Sequence, residues 1–158
     1  MEKGAETWNK VMVAAMAVPG IKVNRSSFLQ EQLSTYGISQ DTINKCIKEN
    51  PVKHIDLTKL DAMAKACITS HTLKVTSISA AAGIPGGFAM IGTLPADTAQ
   101  YYYHILKLAQ KLAYIYGYPS LLDDEGNLTD TAINILTVFV GVMFGVATAN
   151  KVLTNLSK

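Results

Sequence analysis

TAINILTVFVGVMFGVATAN, residues 131–150, contains no Asp, Glu, Lys or Arg. About 20 such residues make a helix long enough to cross a bilayer. The same run also suits a helix at the centre of a bundle, covered by protein on every side. Asn134, Thr137, Gly141 and Gly145 fall along one stripe of it, and Gly141-x-x-x-Gly145 lets a second backbone approach closely. Ile135, Val138, Val142, Phe144 and Val146 cover the remaining surface. The other helical stretches are amphipathic enough to coat this one, which favours a buried core helix over a lipid-embedded one.

A second uncharged stretch covers residues 75–96 and is broken by Pro85, Gly86 and Gly87, a structural turn that no straight helix tolerates. Pro95 then sits in the first turn of the next helix, where its missing N–H costs nothing. Together the two stretches predict an all-α, single-domain helical bundle over residues 1–158, with a Gly/Pro-broken hairpin around the very apolar C-terminal helix. The two uncharged segments are expected to pack on each other, with Asp97 as a polar clasp.

The rest of the chain alternates helical spacing with punctuation. Residues 4–18 place Trp8, Val11, Met12, Ala15 and Met16 on one stripe, ended by Pro19-Gly20. Ile21 to Asn24 is an extended link. Ser27 with Gln30 forms a capping-box pair opening a helix that Gly37 closes. Ser39 caps a helix over 40–49, and Asp56 caps a long one from Leu57 to about Ala82. Leu60, Ala64, Cys67, His71, Val75, Ile78 and Ala82 form the buried stripe of that long helix. The helix after Pro95 reaches Tyr116 and is closed by Gly117; Tyr102, Leu106, Ala109, Ala113 and Tyr116 face its core. Tyr103, Lys107, Gln110, Lys111 and Tyr114 face out. The loop DDEGN, 123–127, leads to a last helix over about Leu128 to Leu156.

Charge excludes some functions. Only 16% of the 158 residues are charged and the formal net charge is +2, with no Lys/Arg-rich patch, so nucleic acid is not an expected partner. Residues 1–74 hold ten Lys/Arg against seven Asp/Glu, and residues 75–158 four against five. Cys46 and Cys67 have neither metal-knuckle nor disulfide spacing, which points to a reducing compartment. The apolar run near the start is too short and too acidic in its flanks for a cleaved signal.

Candidate chemistry concentrates near the hairpin. The glycines at 83, 86, 87 and 92 match no phosphate-loop or dinucleotide pattern. Asp97 lies in a helix first turn, where the dipole favours a carboxylate. Gln100, Tyr101 and His104 follow, and Asp97, Tyr101 and His104 share one side, suited to acid–base work or to a buried hydrogen-bond network. Cys67 and His71, four residues apart, have the spacing of two metal ligands from one helical turn. Their place on an apolar stripe makes them core residues instead, so no metal, no cofactor and no catalytic residue is assigned. His71, Asp97, Gln100, Tyr101 and His104 are the candidate binding residues.

Three blocks resemble a known family: WNKVMVAAMAVPGIKVNRSSFL (8–29), ACITSHTLKVTSISAAAGIPGGFAMIGTLPADTAQYYYHILKLAQKLAYIYGYP (66–119) and LTVFVGVMFGVATANK (136–151). Pro-Gly-Gly before a helix opened by Leu-Pro-Ala-Asp, then an aromatic-rich helix ending Ala-Tyr-x-Tyr-Gly, resembles the EcsC-related bacterial proteins. The family's pattern falls on His71, Pro85, Gly86, Gly87, Pro95, Ala96, Asp97 and Gln100; Asn24 stands where the pattern has an aspartate cap. The resemblance implies a bacterial protein with a role near the cell envelope. Chains of this look are sometimes labelled bacteriochlorophyll 4-vinyl reductase, but no dinucleotide, iron–sulfur or flavin motif occurs here. The expectation is a non-enzymatic protein of the cytoplasm, peripheral to or embedded in the cytoplasmic membrane. Its partners would be membrane lipid, another helical protein or a second copy of itself. The alternative is an apolar small-ligand binder or an enzyme with a His/Asp/Tyr pocket.

Overall fold

A computed structural model of the chain describes residues 15–16, 18–81 and 96–143, with the side chains of 75–81, 96–101 and 143 outside that description. The first-helix residues before Ala15, the turn residues Pro85, Gly86, Gly87 and Pro95, and Gly145 of the expected seam lie outside the described residues. The described elements are α1 (Arg25–Thr35), α2 (Gln40–Lys48), a 3-10 turn (Pro51–Lys53), α3 (Leu57–Ala81), α4 (Ala96–Ile115) and α5 (Asp130–Met143). This is an all-helical, single-domain bundle of about five helices. Among the described residues its one β-type feature is an isolated bridge between Leu122 and Leu128.

Local chemistry sets most boundaries. Gly20, Gly37, Gly117 and Gly126 adopt positive φ, and Gly37 and Gly117 end α1 and α4 as their sequence positions predict. At Gly117 the requirement is doubled, because a β-carbon there would run into the Asn50 side-chain amide. Ser39 accepts from the Thr42 N–H at the start of α2, and Asp56 accepts from the Thr58 N–H ahead of α3. The start of α1 differs from the expected Ser27–Gln30 box. Asn24 is the cap, its Oδ1 accepting from the Ser27 N–H at 2.9 Å, and the helix is already under way at Arg25. Ser27 therefore supplies the bonded backbone N–H rather than the capping side chain. The last helix opens at Asp130 rather than Leu128, because Thr129 Oγ1 accepts from the Ala132 N–H and so occupies the cap position.

Among the described residues the helix that packs on the most others is α4. α4 packs on α1, α3 and α5, and it buries Ile105, Leu106, Ala109, Gln110, Ala113, Tyr114 and Ile115. At about 100° per residue those positions wrap more than half of its circumference. In α5 the buried positions are Ala132, Leu136 and Val140, one narrow stripe against α4, while Asn134 is exposed. Gln110 and Tyr114, expected to face out, are fully buried. Both have backbone partners outside their own helix that no apolar periodicity reveals. Gln110 Oε1 accepts from the Val23 N–H at 3.1 Å, and its Nε2 donates to Ile21 O and Leu106 O. The amide thus pairs with the extended Ile21–Val23 link as a neighbouring strand would. Tyr114 Oη accepts from the Leu121 N–H at 3.3 Å and fixes the chain leaving α4.

Embedding in the cytoplasmic membrane, an expectation from the sequence, is overturned. Among the described residues no helix is long and apolar enough to cross a membrane. The described part of α5 spans 14 residues, about 21 Å, against a hydrocarbon core of about 30 Å. The 25 residues of α3 include Lys59, Asp61, Lys65 and Lys74.

Arg25 joins three segments. It is buried at the first turn of α1, where a cation gains nothing from that helix's own dipole. Its guanidinium instead reaches the C-terminal end of α2, with Nη1 donating to Ile47 O at 2.6 Å and Nη2 to Cys46 O at 3.3 Å and Glu49 O at 3.5 Å. Nε donates to Tyr118 O at 2.9 Å, beyond the end of α4. Burial pushes the guanidinium's pKa down, opposed by Tyr114 and Cys46. Arg25→Met should lower unfolding free energy by about 3 kcal/mol or more, since it strands carbonyls that charge-assisted bonds satisfy. Arg25→Lys should cost less than Arg25→Met, because it keeps the charge but loses the planar fork. Urea midpoints for both variants check this; a loss under about 0.5 kcal/mol for Arg25→Met would mean that water replaces the guanidinium.

Candidate functional site

The long α3 helix carries Cys67 and His71 on the stripe that also buries Leu60, Met63 and Ala64. A spacing of four residues brings the thiol and the imidazole to the same face, turned toward α4. His104 of α4 meets His71 there, ring edge to ring face, with centroids 5.8 Å apart and planes at 72°. Tyr103 abuts His104 in the same manner at 5.2 Å. Two of the five predicted binding residues, His71 and His104, are therefore brought together. Asp97, Gln100 and Tyr101 lie in the first turns of α4, and their side chains are outside the described residues.

His71 is 5% exposed, yet neither of its ring nitrogens has a hydrogen-bond partner, and Nδ1 of His104 also lacks one. Burial lowers the His71 pKa to about 4, helped by the positive field of Lys111, by His104 and by Lys74 and Lys107. His104 is lowered too, by burial and then by Lys107 and Lys74. Burial lowers Lys111, which lies over the Phe28 ring at 5.6 Å, and raises the Cys67 thiol, whose Sγ stands 3.8 Å from Gln32 Oε1. The pair is thus neutral imidazole beside neutral thiol at pH 7. Among the described residues no group of three or more His, Cys, Asp or Glu side chains is arranged to hold a metal ion.

A second feature lies on another face of α4 and was not foreseen. Ile68 of α3, Leu108 and Leu112 of α4, and Phe139 and Val142 of α5 line a cleft of about 440 Å³. Tyr116 and Tyr118 close one end. Tyr116 Oη bonds to Asp61 Oδ1 at 2.7 Å, and Tyr118 stands edge-on to Phe139 at 5.8 Å. Ile68, exposed at its rim and outside the core stripe of α3, is the hint the sequence could give, since such an apolar residue asks for a partner; Tyr116, expected in the core of α4, is instead exposed there.

The aromatic helix also ties back to the N-terminal link. Lys107 Nζ donates to Gly20 O at 2.6 Å and approaches Tyr103 Oη at 3.2 Å, while Tyr103 Oη donates to Gly20 O at 3.1 Å. These contacts place Lys107 on the side of α4 away from the cleft. No family model, curated protein or solved structure matches the chain.

The histidine pair predicts a pH dependence of stability with a definite sign. His71 binds a proton near pH 6.5 when unfolded and only near pH 4 when folded. The unfolded state therefore holds more protons between those values, and stability falls as pH drops from about 6.5 to 4. The loss from this group should reach about 3 kcal/mol at the acid end. His71→Leu should flatten that slope and leave stability at pH 7 within about 1 kcal/mol of the wild type. Urea unfolding from pH 4 to 7.5 in an oxyanion-free buffer measures both; an equal slope in the variant would place the titration elsewhere.

Proposed function

We propose that the protein binds an apolar small molecule in the cleft between α3, α4 and α5. The observation behind this is the cleft itself. Its volume of about 440 Å³ lies in the range of small-molecule sites, and its lining is aliphatic and aromatic. The phenol of Tyr116, engaged by Asp61, and the ring of Tyr118 give that lining two rigid walls. An uncharged ligand with an aromatic or branched body fits such walls. Binding, rather than catalysis, is the activity proposed. Kinship with the EcsC-related proteins is proposed on the residue pattern of 66–119 alone.

A second reading concerns a helical partner. Asn134, exposed, and Thr137 and Gly141, half-buried, flank the buried stripe of Ala132, Leu136 and Val140 on α5. A small-residue seam at the edge of the core leaves room for another helix, from a second copy or from a different protein.

The uncharged fluorophore N-phenyl-1-naphthylamine tests the first reading. It should bind saturably at one site per chain, and Ile68→Trp, which fills the cleft from its exposed rim, should weaken it about tenfold. Unfolding of the variant should match the wild type. Linear, unsaturated uptake, or equal binding by Ile68→Trp, would overturn the reading. Sedimentation of Gly141→Leu tests the second: a self-associating wild type should become monomeric.

A further inference from the structure

The seam where α3 and α4 meet beside α1 gathers cations and imidazoles around an unfilled hydrogen-bonding demand. His71 and Lys74 are three residues apart on α3, and His104, Lys107 and Lys111 follow one stripe of α4 at spacings of three and four. Lys111, Lys74 and Lys107 all act on His71, and Lys111 feels both other lysines. Against them stands Glu31 of α1, the weakest of the influences on Lys111. Among the described residues none of the three lysines has a carboxylate at ion-pair distance; the pair found there is His54 with Glu49. Lys107 meets a carbonyl and a phenol, and Lys111 meets an aromatic ring. Such neutral partners do not offset three like charges held on one seam.

His71 supplies the independent observation. A side chain 95% buried with two unpartnered ring nitrogens is an unusual cost in a native interior, where buried polar atoms are nearly always bonded. Nδ1 of His104, with its ring against the same face, is a third unmet atom. Lys74 is exposed and His104 half-buried, so the seam opens to solvent at that end. We infer that this seam is a binding site for a phosphate-type oxyanion, held by His71 and His104 within and by Lys74, Lys107 and Lys111 at the rim. A carboxylate has two oxygens, too few for donors converging from two helices. A tetrahedral phosphate has more acceptors and a charge between about −1 and −2 at pH 7, which offsets about half of the lysine charge. None of these five residues lines the apolar cleft, so the site stands apart from the proposed function.

Inorganic phosphate, titrated at pH 7 and constant ionic strength, tests the site through the imidazole ¹H–¹⁵N signals and the thermal midpoint. One equivalent should bind with a Kd at or below about 1 mM. The His71 and His104 signals should shift, and the His71 pKa should rise toward its ordinary value. Lys74→Gln, at an exposed position that does not threaten folding, and Lys111→Gln should each weaken binding about tenfold. Acetate and chloride should leave the signals unmoved. Vesicles of phosphatidylcholine with phosphatidic acid separate the sources. Binding to them that free phosphate displaces identifies a lipid phosphomonoester, and free phosphate binding alone identifies a soluble one. Imidazole signals indifferent to phosphate, equal effects of acetate, or undiminished binding by both lysine variants would overturn the site.

Discussion

The Arg25 guanidinium is where three otherwise independent pieces of chain are made to share one position. The end of a helix presents carbonyls with no partner inside the helix, and negative partial charge gathers there. Cys46, Ile47 and Glu49 present such carbonyls at the end of α2, and Tyr118 presents another just past α4. A single planar cation with five N–H groups meets all of them from the first turn of α1. Because the group is buried, its charge stays in place only while those four oxygens surround it. The start of α1, the end of α2 and the exit of α4 therefore have to form together.

The same logic recurs at Gln110 and Tyr114, and it explains which parts of the fold a sequence can display. Capping and glycine stops are local: Ser39, Asp56, Gly37 and Gly117 act on residues within a turn of themselves, and each does what its position predicts. Ser27 misleads because Asn24, three residues earlier, offers an equally good oxygen and the helix takes the earlier one. Gln110 and Tyr114 mislead for a different reason. Gln110 bonds to Val23 and Ile21, up to 89 residues away, and Tyr114 to Leu121 in the chain just beyond the helix, and neither partner leaves a mark on helical periodicity. A polar residue with a distant backbone partner reads as surface and folds as core.

The candidate sites divide along the same line. The stripe from Leu60 to His71 was legible because burial on a long helix has a period, and Leu60, Ala64, Cys67 and His71 are all buried. The meeting of His71 with His104 needed only that α3 and α4 pack side by side. The lysines on the histidine seam were not legible, since Lys107 and Lys111 belong to a stripe that reads as wet surface until α1 and the Gly20 link close over it. Nor was the cleft, because a void is a property of how three helices fail to fill space and of no single residue.

α3 is the common wall of both features. Ile68 faces the cleft, while Cys67, about 100° away around the helix, meets Gln32 of α1, and His71 meets His104 of α4. Successive residues of a helix point about 100° apart, so this division is inherent in any helix laid between two compartments. Upstream, Leu60, Met63 and Ala64 are buried against the bundle and the Asp61–Tyr116 bond ties α3 to the end of α4. The wall is thus fixed at the end nearest the cleft's tyrosines. Around the histidines both ring nitrogens of His71 and Nδ1 of His104 have no partners. An apolar compartment and an electropositive one with unpartnered imidazole nitrogens are suited to different ligands, the first to shape and the second to charge.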